Sequence, residues 1–274
     1  MEPLAYSAAL LAVIAAPDAP TKDALLAAID PPADGATWAE PVLPPRPGRP
    51  AHYREIVEPP RKRRGMDHRP TRLRFLHAIH HIELSAIDLA ALLCLRAAGA
   101  PAALHRDFLG VAREEAGHAQ LIGGLLEREG HPPGSDPIHH KLWDSALAAA
   151  DLGEQLVVVP RFLEARGLDV SAELLPRLER IDAPSHAVIA KIYHDEIGHV
   201  GIGTRWHRWW CTANGRDPLE HFSDTVAKHF GHQLPSPFAL DRPGRLQAGF
   251  DQAEFTVLEQ RAPRPAAQAA VAPN

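Results

Sequence analysis

Ala112-Arg113-Glu114-Glu115-Ala116-Gly117-His118 and, 81 residues further on, Asp195-Glu196-Ile197-Gly198-His199 are the stretches that decide the fold. Read in steps of four and three, the first lies on the stripe Leu104, Phe108, Val111, Glu115, His118, Ile122, Leu125. The second lies on Ile189, Ile192, Glu196, His199, Gly203, Trp206. Apolar residues at that period form the core-facing side of an α-helix. In both stripes a Glu and a His three residues apart interrupt an otherwise apolar face, and residues i and i+3 of a helix can reach one ion together.

A further helix upstream offers Leu76, His80, Glu83, Ile87, Ala90, Cys94, again with one inward carboxylate. Burying a carboxylate unpaired costs several kcal/mol, and none of these stripes carries an inward Lys or Arg. Metal cations supply the missing charge. Helical bundles that bind two ions use one Glu from each of two helices and Glu-x-x-His from each of the other two. The remaining helix offers Glu154 and Glu164. Glu164 lies 32 residues before Glu196, as Glu83 lies 32 before Glu115, and it extends the stripe Ala146, Ala150, Gly153, Val157, Pro160. Glu164 is therefore the candidate and Glu154 the reserve. Four carboxylates and two divalent ions then balance, with both histidines neutral. Ligating histidines usually donate their second ring N–H to a carboxylate, so Asp195 is expected on His118 and Glu114 on His199.

The rest of the chain frames this centre. Of 27 prolines, twenty lie outside residues 71–213, and proline breaks helix interiors. The expectation is an all-α protein: a proline-rich N-terminal arm over 1–70, an antiparallel four-helix bundle over 71–213, and a wrap with a disordered tail over 214–274. The bundle helices are expected at Thr71–Ala98, Ala102–Glu129, His139 or His140 to Gly167 with a kink at Pro160, and from Pro184, capped by Ser185, to Asn214. A short helix is expected near Ser171–Arg180, and others at Leu4–Ala16 and Lys22–Ile29. No segment has the alternating pattern of a strand.

Composition excludes several classes. Hydrophobic residues are 45% and charged residues 23% of 274, a globular balance. The longest purely apolar run, Ala8–Ala16, is nine residues, too short for a bilayer. Two cysteines, Cys94 and Cys211, build no disulfide framework, and Met1-Glu2-Pro3 has no basic leader; a cytoplasmic setting and no membrane partner are expected. Between Arg61 and Arg74 seven Lys/Arg face one Asp in a chain of net charge −5. That stretch is a candidate RNA or polyanion contact, but it lacks interleaved aromatics that stack bases, so a solvated face is the favoured reading.

The spaced carboxylates and paired Glu-x-x-His motifs resemble the ferritin-like di-iron carboxylate proteins. With His81-Ile82-Glu83-Leu84 and Val159-Pro160-Arg161-Phe162-Leu163-Glu164-Ala165-Arg166-Gly167-Leu168-Asp169, they resemble an uncharacterised bacterial ferritin-like family over about residues 70–250. Glu164-Ala165-Arg166 is also similar to the third-helix ligand segment of the tRNA hydroxylase acting on 2-methylthio-isopentenyladenosine. The resemblance implies a ferritin-like bundle in which Glu83, Glu115, His118, Glu164, Glu196 and His199 hold two ions, iron first and manganese second. It implies an O₂-dependent, hydroxylase-like oxidoreductase with an external electron donor and a small-molecule or modified-nucleoside substrate, working as a monomer or homodimer. The rival readings are a metal-handling or peroxide-scavenging bundle without an organic substrate, and a metal-free scaffold. Tyr193 is a candidate redox tyrosine, with packing as its ordinary alternative. Arg161 is a candidate contact for an anionic substrate, or a partner of Glu114 or Asp195. His80 is expected as a polar neighbour of the site and not as a ligand.

Overall fold

The computed structural model describes residues 1–39, 41–56, 65–231 and 238–261. The protein is all-α: the described residues contain no strand, only one isolated bridge between Glu55 and Ile138. The N-terminal arm supplies α1 (Pro3–Ala15) and α2 (Ala19–Ala27). The centre supplies α3 (Arg69–Arg96), α4 (Ala102–Arg128), α5 (Lys141–Leu147), α6 (Leu152–Leu156), a π-helical segment (Val157–Glu164), α7 (Ala165–Ile181) and α8 (Ala183–Ala213). The C-terminal arm supplies α9 (Pro218–Phe230), α10 (Arg242–Gln247) and α11 (Gln252–Glu259).

The long central helices form two hairpins. In the first, α3 turns into α4 through Gly99, whose φ of +83° only glycine adopts freely. In the second, α7 turns into α8 at Asp182, whose side chain accepts from the Ser185 N–H. The cap of α8 is thus Asp182 and not Ser185, with Pro184 in the first turn, where its missing N–H costs nothing. The hairpins join where α4 packs on α8.

Residues 139–167 do not form one helix. The chain breaks after α5, restarts with Asp151 accepting from Glu154 N–H, and then widens into the π-helical segment around Pro160. Pro160 therefore produces a wide turn in place of the expected kink, since it lacks the N–H an α-helix needs there. Gly203 of α8 accommodates it: a Cβ at 203 would overlap the Pro160 ring. The expected short helix near Ser171–Arg180 is the continuation of α7, with Pro176 inside it.

Two apolar layers fix the height of the site. One gathers Leu73 and Leu76 of α3, Ile122 and Leu125 of α4, and Ile189 and Ile192 of α8. The other gathers Ile87, Leu104, Phe108, Val111 and Trp206 from the same helices, together with Tyr6, Leu10 and Leu26 of the arm. The Glu and His residues of α3, α4 and α8 fall between these layers. By length and composition α3 could cross a membrane, but 83% of its apolar window is buried inside the protein; it is the core helix.

Candidate metal centre

Between the two layers, Glu83, Glu115, His118, Glu196 and His199 converge at 4%, 0%, 1%, 7% and 1% exposure. Ligand atoms of Glu83, Glu115, His118 and Glu196 lie within 4.8 Å of one another, a spacing that could hold a metal ion. Glu115 reaches both imidazoles: its Oε2 lies 3.4 Å from His118 Nδ1 and its Oε1 lies 2.9 Å from His199 Nδ1. His118 Nδ1 is also 3.2 Å from Glu83 Oε2, and His199 Nδ1 is 3.8 Å from Glu196 Oε1. The two rings are 5.8 Å apart.

The outer nitrogens are fixed from the opposite side. His118 Nε2 donates to Asp195 Oδ2 at 2.9 Å, and His199 Nε2 donates to Glu114 Oε2 at 2.7 Å. A neutral imidazole carries one proton. With that proton on Nε2, each Nδ1 turns a lone pair inward: His118 Nδ1 faces Glu83 Oε2 within hydrogen-bond distance, and His199 Nδ1 faces Glu115. Both Glu115 oxygens, Glu196 Oε2 and His199 Nδ1 accordingly lack a hydrogen-bond partner, the 2.9 Å approach of His199 to Glu115 being out of line for one. Buried polar atoms are rarely left in that state.

Electrostatics describes the same conflict. Burial first, and then the Glu115 charge, holds the Glu83 carboxyl well above the ordinary carboxylate range. Burial and Glu196 do the same to Glu164, and burial and Glu115 push Glu196 up to about 7. Glu115 goes the other way. Burial raises it, but His118 and His199 together outweigh burial and hold it low. His118 is pushed up to about 11, burial being overcome by Glu115 and Glu83. Without cations, the interior can hold these groups only by taking up protons.

Glu164 is partly exposed but feels Glu196, Glu115 and His199, whereas Glu83 feels Glu115, His118 and Glu196. The contacts within the cluster run from Glu83 to His118, from Glu115 to both imidazoles and from Glu196 to His199, while Glu164 is not among the converging ligand atoms and senses them by charge alone. The reserve residue Glu154 lies elsewhere: it accepts from Ala150 N–H and from Lys228 and His229 of α9.

Two other candidates are not brought to the cluster. Arg161 is fully buried, paired with Glu254 of α11, and donates to His207 Nδ1 at 2.8 Å. The π-helical turn directs it towards the C-terminal arm, away from Glu114 and Asp195, so it meets neither a substrate at the cluster nor those acids. Tyr193 donates to Asp241 Oδ2 at 2.7 Å. His80 packs its ring edge on Gly123, outside the group of converging ligand atoms. Arg61–Arg64 lie outside the described residues; of the basic stretch, Arg69 pairs with Glu129 and Arg72 with Asp182.

One neighbour went unread in the sequence. Lys191, four residues before Asp195, pairs with it and shares the His118 carboxylate; the i, i+4 spacing was the available signal. Lys191, Asp195, Glu114 and His118 line a pocket of about 500 Å³ between α4 and α8, with Arg128 also on its wall.

The family model described as "Protein of unknown function (DUF455)" matches residues 15–256. The chain belongs to this family. The DUF455 match spans the converging carboxylates, the C-terminal helices as far as the middle of α11, and most of the N-terminal arm. An "Uncharacterized protein" of Haemophilus influenzae is 36% identical over 189 residues, covering 66% of this chain; the chain spans 65% of that relative's length. No solved structure matches.

Proposed function

We propose that this DUF455 protein is a ferritin-like four-helix bundle that holds two divalent transition-metal ions, iron first, and acts as an O₂-dependent oxidoreductase. The observation that carries this reading is the set of buried, converging ligand atoms left without a hydrogen-bond partner: both Glu115 oxygens, Glu196 Oε2 and His199 Nδ1. Oxygen-rich sites with imidazole suit iron or manganese. Glu83 and His118 would hold one ion, Glu164 and His199 the other, with Glu115 and Glu196 shared.

Two reduced irons at that position would supply electrons and a binding place for O₂. The chain's own residues do the rest. Asp195 and Glu114 keep the proton of each imidazole on Nε2, so that Nδ1 stays available. The apolar layers exclude water from the carboxylates, which strengthens every charge interaction there. An external donor must supply electrons.

A second reading, metal handling or peroxide scavenging without an organic substrate, is favoured by one observation. The pocket of about 500 Å³ reaches the cluster through His118, and none of Glu83, Glu115, Glu164 and Glu196 lines it. A bulky substrate there would be separated from the metals by the imidazole ring.

Metal analysis after anaerobic Fe²⁺ loading should give two ions per chain, and Glu115→Ala should reduce this below one. Reduced protein should then consume O₂ repeatedly while a chemical reductant is supplied. A wild-type chain that cannot be loaded beyond trace metal refutes the proposal. Faster turnover with peroxide than with O₂ selects the second reading.

A further inference from the structure

Beyond the carboxylate cluster, α8 carries His207 and Cys211 one turn apart, and folding brings His221 of α9 against both. His207 Nε2 lies 3.0 Å from His221 Nδ1 and 3.4 Å from Cys211 Sγ. The three ligand atoms fall within 4.8 Å of one another. His207 and Cys211 are fully buried, while His221 is partly exposed and held between the His207 and Trp210 rings at 5.2 and 4.9 Å. His221 also lines a second pocket, of about 170 Å³, whose walls carry Asp151, Glu154, Asp217, Glu220 and Asp224 against two cations, Arg216 and Lys228. A cation approaching His221 crosses a surface with an excess of negative charge.

We propose that His207, Cys211 and His221 form a mononuclear site for a borderline-soft divalent ion, zinc in the first instance, reached through that acidic pocket. The proposal does not depend on the carboxylate cluster. A thiolate with two imidazoles selects zinc over the oxygen-seeking ions. Three protein ligands leave a fourth tetrahedral position for water.

Arg161 sets the protonation chemistry. Its guanidinium, paired with Glu254, donates to His207 Nδ1, so in the metal-free protein the His207 proton sits on Nε2, within reach of His221 Nδ1. An incoming ion displaces that proton and the Cys211 thiol proton. His207 then binds as an imidazolate whose Nδ1 still accepts from Arg161. Thiolate and imidazolate together neutralise the dication, and two protons leave per ion bound, so affinity rises with pH.

Co²⁺ is the probe, because a thiolate-to-cobalt charge-transfer band in the near ultraviolet reports only a cysteine-bound ion, and the carboxylate cluster contains no cysteine. Titration of the full chain should raise this band to saturation at one thiolate-bound ion per chain, more tightly at higher pH. Zinc should then displace the cobalt and abolish the band. Cys211→Ser and His221→Ala should each lose it. Glu115→Ala, which disables the carboxylate cluster, should keep it, so the two sites fail separately. A wild-type chain that gives no such band, or a band that survives Cys211→Ser, overturns the assignment and leaves a hydrogen-bonded His207–His221 pair.

Discussion

Each central imidazole is held from outside by an acid on the facing helix, and the two acids differ. Asp195 is shared between His118 and Lys191, whereas the Glu114 side chain is 60% exposed and its described partner is His199. Removing a carboxylate that orients a ligating histidine costs about 10–100-fold in metal affinity. Asp195→Ala should fall in that range and Glu114→Ala below it, because water can replace an exposed acceptor; competition with a chelator reads both. These crossed pairs were legible in the sequence, since the residue preceding each candidate ligand Glu sits at the seam between helices. Arg161 was not legible. It was expected at an anionic substrate or at Glu114 or Asp195, whereas it lies in the π-helical segment and pairs with Glu254 and His207, 93 and 46 residues further along the chain.

At the scale of the element, α3, α4 and α8 could be placed from the sequence because long amphipathic stripes and Gly or Pro stops agree about them. The region between α4 and α8 could not. Ala148–Asp151 interrupts it without a proline, and Pro160 lies where wide-turn geometry tolerates it. Glu154 then serves as a tie, joining α6 to α9 through Lys228 and His229. Burial opposes its ionisation, but Lys228, the Ala150 N–H and His229 outweigh burial and lower its pKa from 4.5 to about 2. A carboxyl with a depressed folded pKa stabilises above its unfolded pKa and loses that contribution as the pH falls towards the folded one. Glu154→Gln should therefore cost about 0.5–1 kcal/mol at neutral pH. The difference from wild type should shrink between about pH 4.5 and pH 2, measured by urea unfolding across that window.

Over the whole molecule, the N-terminal arm is fastened to the core helix by charge as well as by apolar packing. The fully buried Lys22 donates to Asp88 Oδ1 at 2.6 Å and to the Val13 carbonyl at 2.6 Å, and Arg49 donates to Asp88 Oδ2 at 2.8 Å. Breaking a buried ion pair from one side costs about 3–5 kcal/mol, because the other charge is stranded. Asp88→Ala should lose about that much and lower Tm, whereas Asp144→Ala, whose pair with Arg46 is half exposed, should change little. Calorimetry separates the two. Neither Lys22 nor Arg49 stood out in the sequence, because their partner lies 66 and 39 residues away in the chain.

Asp88 is five residues from Glu83 on the same helix. A recombinant fragment beginning at residue 70, where composition changes, would strip both cations from that carboxylate and uncover the side of α3 now sealed by Tyr6, Leu10 and Leu26. Such a truncation would be harvested from inclusion bodies, and a failed assay on it would say nothing about iron.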